Sequence, residues 1–212
     1  MNLCAIFDMD GTLFDTGAGI KDCVRYALSV LNAPPLSEAQ LNTFIGPSLF
    51  DSFSRTAKLS AEDATRAVAL YREKYAVTGL ESAVPYNGVL DMLSMLARKG
   101  VLLSIASAKP KVFVDKLLQV YGITDMFACV CAPDFAKTNS DKSALISAAA
   151  VSPRSVMVGD TRFDVEGAKK AGFPVIAVLY GYGKKSELQA ADYLAESPAR
   201  VADLLLSFPP ER

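Results

Sequence analysis

The 212-residue sequence contains no histidine. That absence excludes Ser-His-Asp and Cys-His catalysis and leaves the usual histidine-containing zinc sets incomplete. Acid–base work near neutral pH falls to carboxylates, lysine or a metal-bound water. Cysteine is sparse, with four residues at Cys4, Cys23, Cys129 and Cys131. Cys4 and Cys129 sit in apolar runs, which reads as buried free thiols in a reducing compartment. Neither charge sign is in excess, the net charge being -1. No electrostatic footprint for a nucleic-acid polymer follows from that balance. No apolar stretch approaches the ~20 residues of a membrane span. The start lacks a basic, apolar leader, with acids arriving by Asp8. A cytoplasmic protein with no membrane partner is the expectation.

Hydrophobic residues make up 51% of the chain, enough for one sizeable core and a smaller lobe. The most informative stretch is Leu3 to Phe14. Leu3, Cys4, Ala5, Ile6 and Phe7 form an apolar run suited to a strand buried on both faces. The run stops at Asp8, followed by Met9, Asp10, Gly11 and Thr12. Residues two apart on an extended chain share a side, so Asp8 and Asp10 can face one site. Gly11 lets the backbone turn tightly near a ligand. Two carboxylates at a strand mouth repel unless a cation or shared proton relieves them, and a hard ion such as Mg2+ suits oxygen ligands. Asp-x-Asp-Gly-Thr could also be a polar strand exit, with the acids as turn formers.

From Asp15 to Ala83 the pattern is helix and turn. Asp15 to Gly19 reads as a flexible polar join, and Ile20 to Leu31 as an amphipathic helix. Ser37 with Gln40 makes a capping-box start, Ser48 to Ala57 reads as helix, and Ser60 with Asp63 opens another through Val77. Val84 to Gly88 is a second punctuated join, and a helix from Val89 stops at Gly100. Strand and helix then alternate: strands at 101–106, 127–131, 155–158, 175–179 and 192–195, helices at 112–121, 142–150, 164–171 and 198–207. Such alternation predicts an α/β fold with a parallel sheet covered by helices. The expected architecture is a doubly wound, Rossmann-like core of residues 1–15 and 84–212, with an inserted helical cap of residues 16–83. Gly17–Gly19 and Tyr86–Gly88 would be its hinges.

Ligands of open parallel sheets bind beyond the carboxyl ends of the strands. Asp8 and Asp10 follow the first strand. The strand ending at Ala106 leads into Ser107-Ala108-Lys109-Pro110, where a hydroxyl and amides could take a phosphate oxygen, or Ser107 could simply cap a helix. The strand ending at Val158 leads into Gly159-Asp160-Thr161-Arg162-Phe163-Asp164. Asp160 sits at the strand tip, and Asp164 could cap the next helix. Lys142, in the first turn of a helix, opposes the helix dipole by about 0.3–1 kcal/mol if exposed, which suggests another use for its charge. Lys137 is the rival candidate.

These motifs together resemble the haloacid dehalogenase-like phosphatases. Asp8-Met9-Asp10-Gly11-Thr12-Leu13 resembles the first signature, Ser107 the second, Lys142 the third and Gly159-Asp160 to Asp164 the fourth. The resemblance implies hydrolysis of a phosphate monoester, with Asp8 as nucleophile and Asp10 as general acid/base. Ser107, the Ala108 amide and Lys142 would hold the phosphoryl oxygens, with Lys109 and Gly46 added to the substrate contacts. Mg2+ would lie among Asp8, Asp10 (through its carbonyl), Asp160 and, directly or through the surrounding shell, Asp164. Asp8-to-Thr16, Phe44-Ile45-Gly46-Pro47, Ser107 to Pro110 and Gly181-Tyr182-Gly183 are most similar to the phosphoglycolate phosphatase and 5′-nucleotidase-like branch. Departures are Ser107-Ala108, where Thr-Ser is commoner, and Asp134 to Lys137. The Ile45–Pro47 turn could meet the leaving group or merely join helices. The expected partner is a small phosphorylated metabolite, and the expected assembly a monomer or weak homodimer. A sugar phosphomutase and a non-catalytic phosphate sensor are the alternatives.

Overall fold

A computed structural model describes residues 2–134 and 141–209. Lys137 lies outside the described residues. The chain divides into two units, Met1–Phe14 with Pro85–Arg212, and Asp15–Val84.

The first unit begins with β1 (Cys4–Phe7), fully buried along its length. Burying side chains such as Ile6 and Phe7 contributes about 1.5–3 kcal/mol each. The chain leaves the unit through β2 (Phe14–Asp15), enters four helices α1 (Gly17–Val30), α2 (Glu38–Asn42), α3 (Leu49–Arg55) and α4 (Ala61–Lys74), and returns through β3 (Val84–Pro85). After α5 (Val89–Arg98) come β4 (Leu102–Ala106), α6 (Lys111–Val120), β5 (Phe127–Cys131), α7 (Lys142–Ala149), β6 (Ser155–Gly159), α8 (Arg162–Ala171), β7 (Val175–Val178), β8 (Tyr193–Ala195) and α9 (Pro198–Leu206). Six strands form one parallel sheet in the order β5-β4-β1-β6-β7-β8. Its flanking helices make it the expected α/β, Rossmann-like fold. Cys4, Ile6, Met157, Val175 and Ala177 pack with Ile146 and Ala149 of α7 and Val165 and Ala168 of α8. By strand alternation, Ala5 and Phe7 face the opposite side.

The strand order has one decisive consequence. The chain runs from β1 to β4 and β5 on one side, then returns to β6 on the other side of β1. That reversal opens a crevice at the carboxyl ends of β1 and β6, the place where ligands bind such sheets.

The second unit is helical throughout. α1 buries Ile20, Cys23, Val24, Ala27 and Leu28, and α4 buries Ala64, Ala67, Val68 and Tyr71. The Ser37–Gln40 capping box forms as expected. One local expectation fails. Gly17–Gly19 is no loose join but the buried first turn of α1, because a Cβ on Gly19 would strike the carbonyl of Gly79. The helix expected to reach Val77 does so, as α-helix to Lys74 and then as a π-helical turn, Tyr75–Gly79, where Gly79 lies against the Tyr75 ring. The chain's two crossings, β2 and β3, pair as a two-stranded sheet. Tyr86, in the second predicted hinge, donates its amide to the Leu13 carbonyl at 3.1 Å.

Candidate active site

Asp8 continues β1, its amide donating to the Val158 carbonyl of β6 at 2.9 Å. That bond brings the tips of β1 and β6 side by side. Beyond Asp8 the chain folds back at once, with the amides of Leu13 and Phe14 donating to the Met9 carbonyl at 3.0 and 2.9 Å. Gly11 turns the corner at φ +83°, and a Cβ there would overlap the Asp160 carboxylate. No other residue fits that position without strain.

Three carboxylates converge: ligand oxygens of Asp8, Asp160 and Asp164 lie within 4.8 Å of one another. Lys142, the first residue of α7, reaches into them from across the crevice. Its Nζ donates to Asp8 Oδ1 at 2.7 Å and forms an ion pair with Asp164 Oδ1 at 2.8 Å, the latter without directed hydrogen-bond geometry. Asp164 also serves its own helix: its Oδ2 accepts from the Thr161 amide and hydroxyl at 2.9 and 2.8 Å. Helix-start and charge-pair roles thus coexist in one residue, one on each oxygen.

Asp160 is completely buried. Its Oδ2 accepts from the Tyr182 amide at 2.8 Å, and its Oδ1 from the Thr12 hydroxyl at 3.4 Å.

The electrostatics follow from burial and crowding. Burial pushes Asp8 up to about 6; Lys142 pulls it back, and the charges of Asp164 and Asp10 add to the rise. Burial, then the charges of Asp164 and Asp8, hold Asp160 well above the usual carboxylate range, against the Tyr182 amide. Burial alone would lower the Lys142 ammonium, but Asp164 and Asp8 outweigh it and hold it above its usual range. Among the described residues, three buried carboxylates with one ammonium leave excess negative charge, and the donors are all hard oxygens. Such a set fits a divalent ion of the magnesium type.

Asp10 stands apart from that set. Its two carboxylate oxygens take the Lys109 ammonium at 2.9 and 3.2 Å. Ser107 is buried, and its amide donates to the Cys131 carbonyl at 3.0 Å. It does not cap α6, which begins at Lys111 after Pro110. Its hydroxyl instead accepts from the Lys109 amide at 3.3 Å, so two amides of this loop are already engaged locally. Ala108 between them is exposed. Gly46, at φ +101°, lies in the turn between α2 and α3 of the helical unit.

The family model for haloacid dehalogenase-like hydrolases matches residues 5–178, a span that includes every residue of the carboxylate–lysine cluster. The chain belongs to that family. Among similar curated proteins, a 5′-nucleotidase of Pseudomonas aeruginosa is 33% identical over 190 residues, covering 87% of this chain and 86% of that protein. A phosphoglycolate phosphatase of Vibrio vulnificus is 30% identical over 94% of both chains. Tyrosine-protein kinase PtkA of Mycobacterium tuberculosis is 32% identical over 92% of this chain and 66% of its own length. The crystal structure of a predicted phosphatase from Clostridium acetobutylicum superposes with a TM-score of 0.91 at 31% identity, over 98% of this chain and 100% of that one. This haloacid dehalogenase-like hydrolase is therefore an enzyme with phosphatase-named relatives across its whole length.

Three site features depend on contacts that the sequence does not display. Lys109 read as a substrate contact, but its ammonium is seated on Asp10. The Thr12 hydroxyl and the Tyr182 amide both serve Asp160, from positions 148 and 22 residues away in the chain. The Gly-Tyr-Gly motif was the visible signal for the last of these.

Proposed function

We propose that this hydrolase cleaves a small phosphate monoester through a phosphoryl group carried transiently on Asp8. The buried arrangement of Asp8, Lys142, Asp164 and Asp160 at the tips of β1 and β6 carries this reading. Asp8, Asp160 and the Asp10 backbone carbonyl would hold Mg2+, with Asp164 supporting through Lys142. Bound there, Mg2+ offsets charge on the phosphoryl oxygens.

An oxygen of Asp8 attacks phosphorus, forming an acyl phosphate as the bond to the substrate's alcohol oxygen breaks. Asp10 gives its proton to that departing oxygen. It then takes a proton from water, which attacks phosphorus, releases phosphate and restores the Asp8 carboxylate. Lys142 keeps Asp8 oriented and ionised at neutral pH, because its charge opposes the effect of burial. Ser107 and the Ala108 amide are assigned to the phosphoryl oxygens. The unit Asp15–Val84 is proposed as the cap that selects substrate, Gly46 included. The names of the relatives support phosphoglycolate or a nucleoside monophosphate as the substrate, and a sugar phosphate is the third member of the proposed class.

The test is phosphate release from a panel of monoesters, with and without Mg2+, by wild type and Asp8→Asn. Mg2+-dependent release that Asp8→Asn abolishes is the expected result. Undiminished release by Asp8→Asn would refute the mechanism. No release by a protein that binds Mg2+ would favour a mutase or a sensor.

A further inference from the structure

The geometry points to the loop Tyr180–Gly183 as a positioning element for the metal ligand Asp160, working through its backbone and the absence of two side chains. This inference rests on the metal-site reading above and adds to it a part of the chain outside the four signature segments.

The loop follows β7 and folds over the tip of β6. The Tyr182 amide donates to Asp160 Oδ2 at 2.8 Å. On the other oxygen stands Thr12, whose hydroxyl is 3.4 Å from Oδ1. Thr12 is itself tied to the loop, since the Tyr180 hydroxyl donates to the Thr12 carbonyl at 3.2 Å. The Tyr180 ring meets Tyr86 edge-on at 5.1 Å between centroids. Asp160 is thus held on both oxygens by groups anchored to one another.

The glycines explain why the loop can come so close. A Cβ on Gly181 would overlap the Asp160 side chain and the Gly11 carbonyl, and one on Gly183 would overlap the Asp160 carbonyl. Neither glycine has a left-handed φ. The need for glycine there comes from the closeness of Asp160 and, at Gly181, of the Gly11 carbonyl, not from a left-handed backbone. Gly11 presses on the same carboxylate from the β1 side. Three chain segments leave Asp160 one placement, and an amide and a hydroxyl fix its rotation. Partners that orient a metal ligand in this way usually carry about 10–100-fold of metal affinity.

The experiment is calorimetric titration of MgCl2 into wild type, Gly181→Ala, Gly183→Ala, Thr12→Val and Gly19→Ala, with circular dichroism on each. Gly19→Ala controls for the general effect of a crowded methyl group, because Gly19 belongs to the helical unit. About 10–100-fold weaker Mg2+ binding is expected for the two loop variants, a smaller loss for Thr12→Val, and wild-type binding for Gly19→Ala. Loop variants that bind Mg2+ as wild type does would overturn the inference and leave the metal site standing. Should the loop variants not fold, Thr12→Val decides, and unchanged affinity there overturns it. A wild-type protein that takes up no Mg2+ removes the metal-site reading, and this inference with it.

Discussion

The ammonium of Lys109 rests on both carboxylate oxygens of Asp10, a residue 99 positions away in the chain. The pair is largely buried, with the Lys109 side chain 4% exposed and that of Asp10 17%. The carboxylate proposed to exchange protons with the leaving group therefore has a fixed ionic partner. In Lys109→Met that partner is gone and Asp10 is free to change rotamer. Steady-state kinetics should show kcat reduced about ten- to a hundredfold, a fraction of a full general-acid effect. Lys109→Arg should recover part of it. A raised KM with unchanged kcat would instead assign Lys109 to substrate binding.

Asp8 makes the stability of the metal-free protein depend on pH. Its carboxyl titrates at about 6 in the folded chain against an ordinary 3.8, burial being the main cause. A carboxyl raised on folding contributes stability that is fully present below its unfolded value and lost as pH rises through the folded one. Metal-free wild type should therefore lose stability relative to Asp8→Asn between about pH 4 and about pH 7, by up to about 3 kcal/mol. Urea midpoints of the two proteins would reveal the gap. Saturating Mg2+ should close it, and a gap independent of pH would contradict the assignment.

Lys142→Met removes from a cluster of three carboxylates the ammonium that pairs with two of them. Breaking a buried pair from one side costs about 3–5 kcal/mol. Scanning calorimetry should find the variant markedly less stable than wild type at neutral pH. Acid should narrow the difference, because Asp8 and Asp160 already titrate above the usual carboxylate range and take up protons first. Equal losses at acid and neutral pH would mean that Lys142 acts through packing alone.

Gly19→Ala tests the helical unit by itself. Its methyl group would collide with the Gly79 carbonyl, a backbone atom that cannot swing aside. Overpacking of this kind costs about 1–3 kcal/mol. Thermal unfolding should begin earlier than in wild type, while Mg2+ affinity is retained.

The sheet was legible in the sequence because its strands are short apolar runs that end in chemically distinctive residues. The runs before Asp8 and Asp160 announced both their burial and their carboxyl ends. Lys142 stood out because its charge opposes its position in a first helical turn. Other features were hidden because they depend on contacts across the chain. Gly17 and Gly19 carry the local grammar of a loop, yet the closeness of Gly79 makes them the start of a helix. Lys109 looks like a ligand contact until Asp10, from the far side of the crevice, supplies its partner. The π-helical turn at Tyr75–Gly79, where Gly79 lies against the Tyr75 ring, leaves no mark in the periodicity.

The position of β1 also ties the candidate site to completion of the sheet. Cys4 pairs with Leu102 on one side and Ser155 on the other, so the middle of the sheet is closed by some of the most sequence-distant contacts in the fold. Non-local pairing of this kind slows folding. A nascent or truncated chain that ends before β6 already carries Asp8 but lacks Asp160, Asp164 and the loop that holds Asp160. The nucleophile proposed at Asp8 then lacks the other carboxylates of the proposed metal site. On the proposed mechanism, hydrolytic competence therefore depends on completion of the sheet through β6 and on the loop that follows β7.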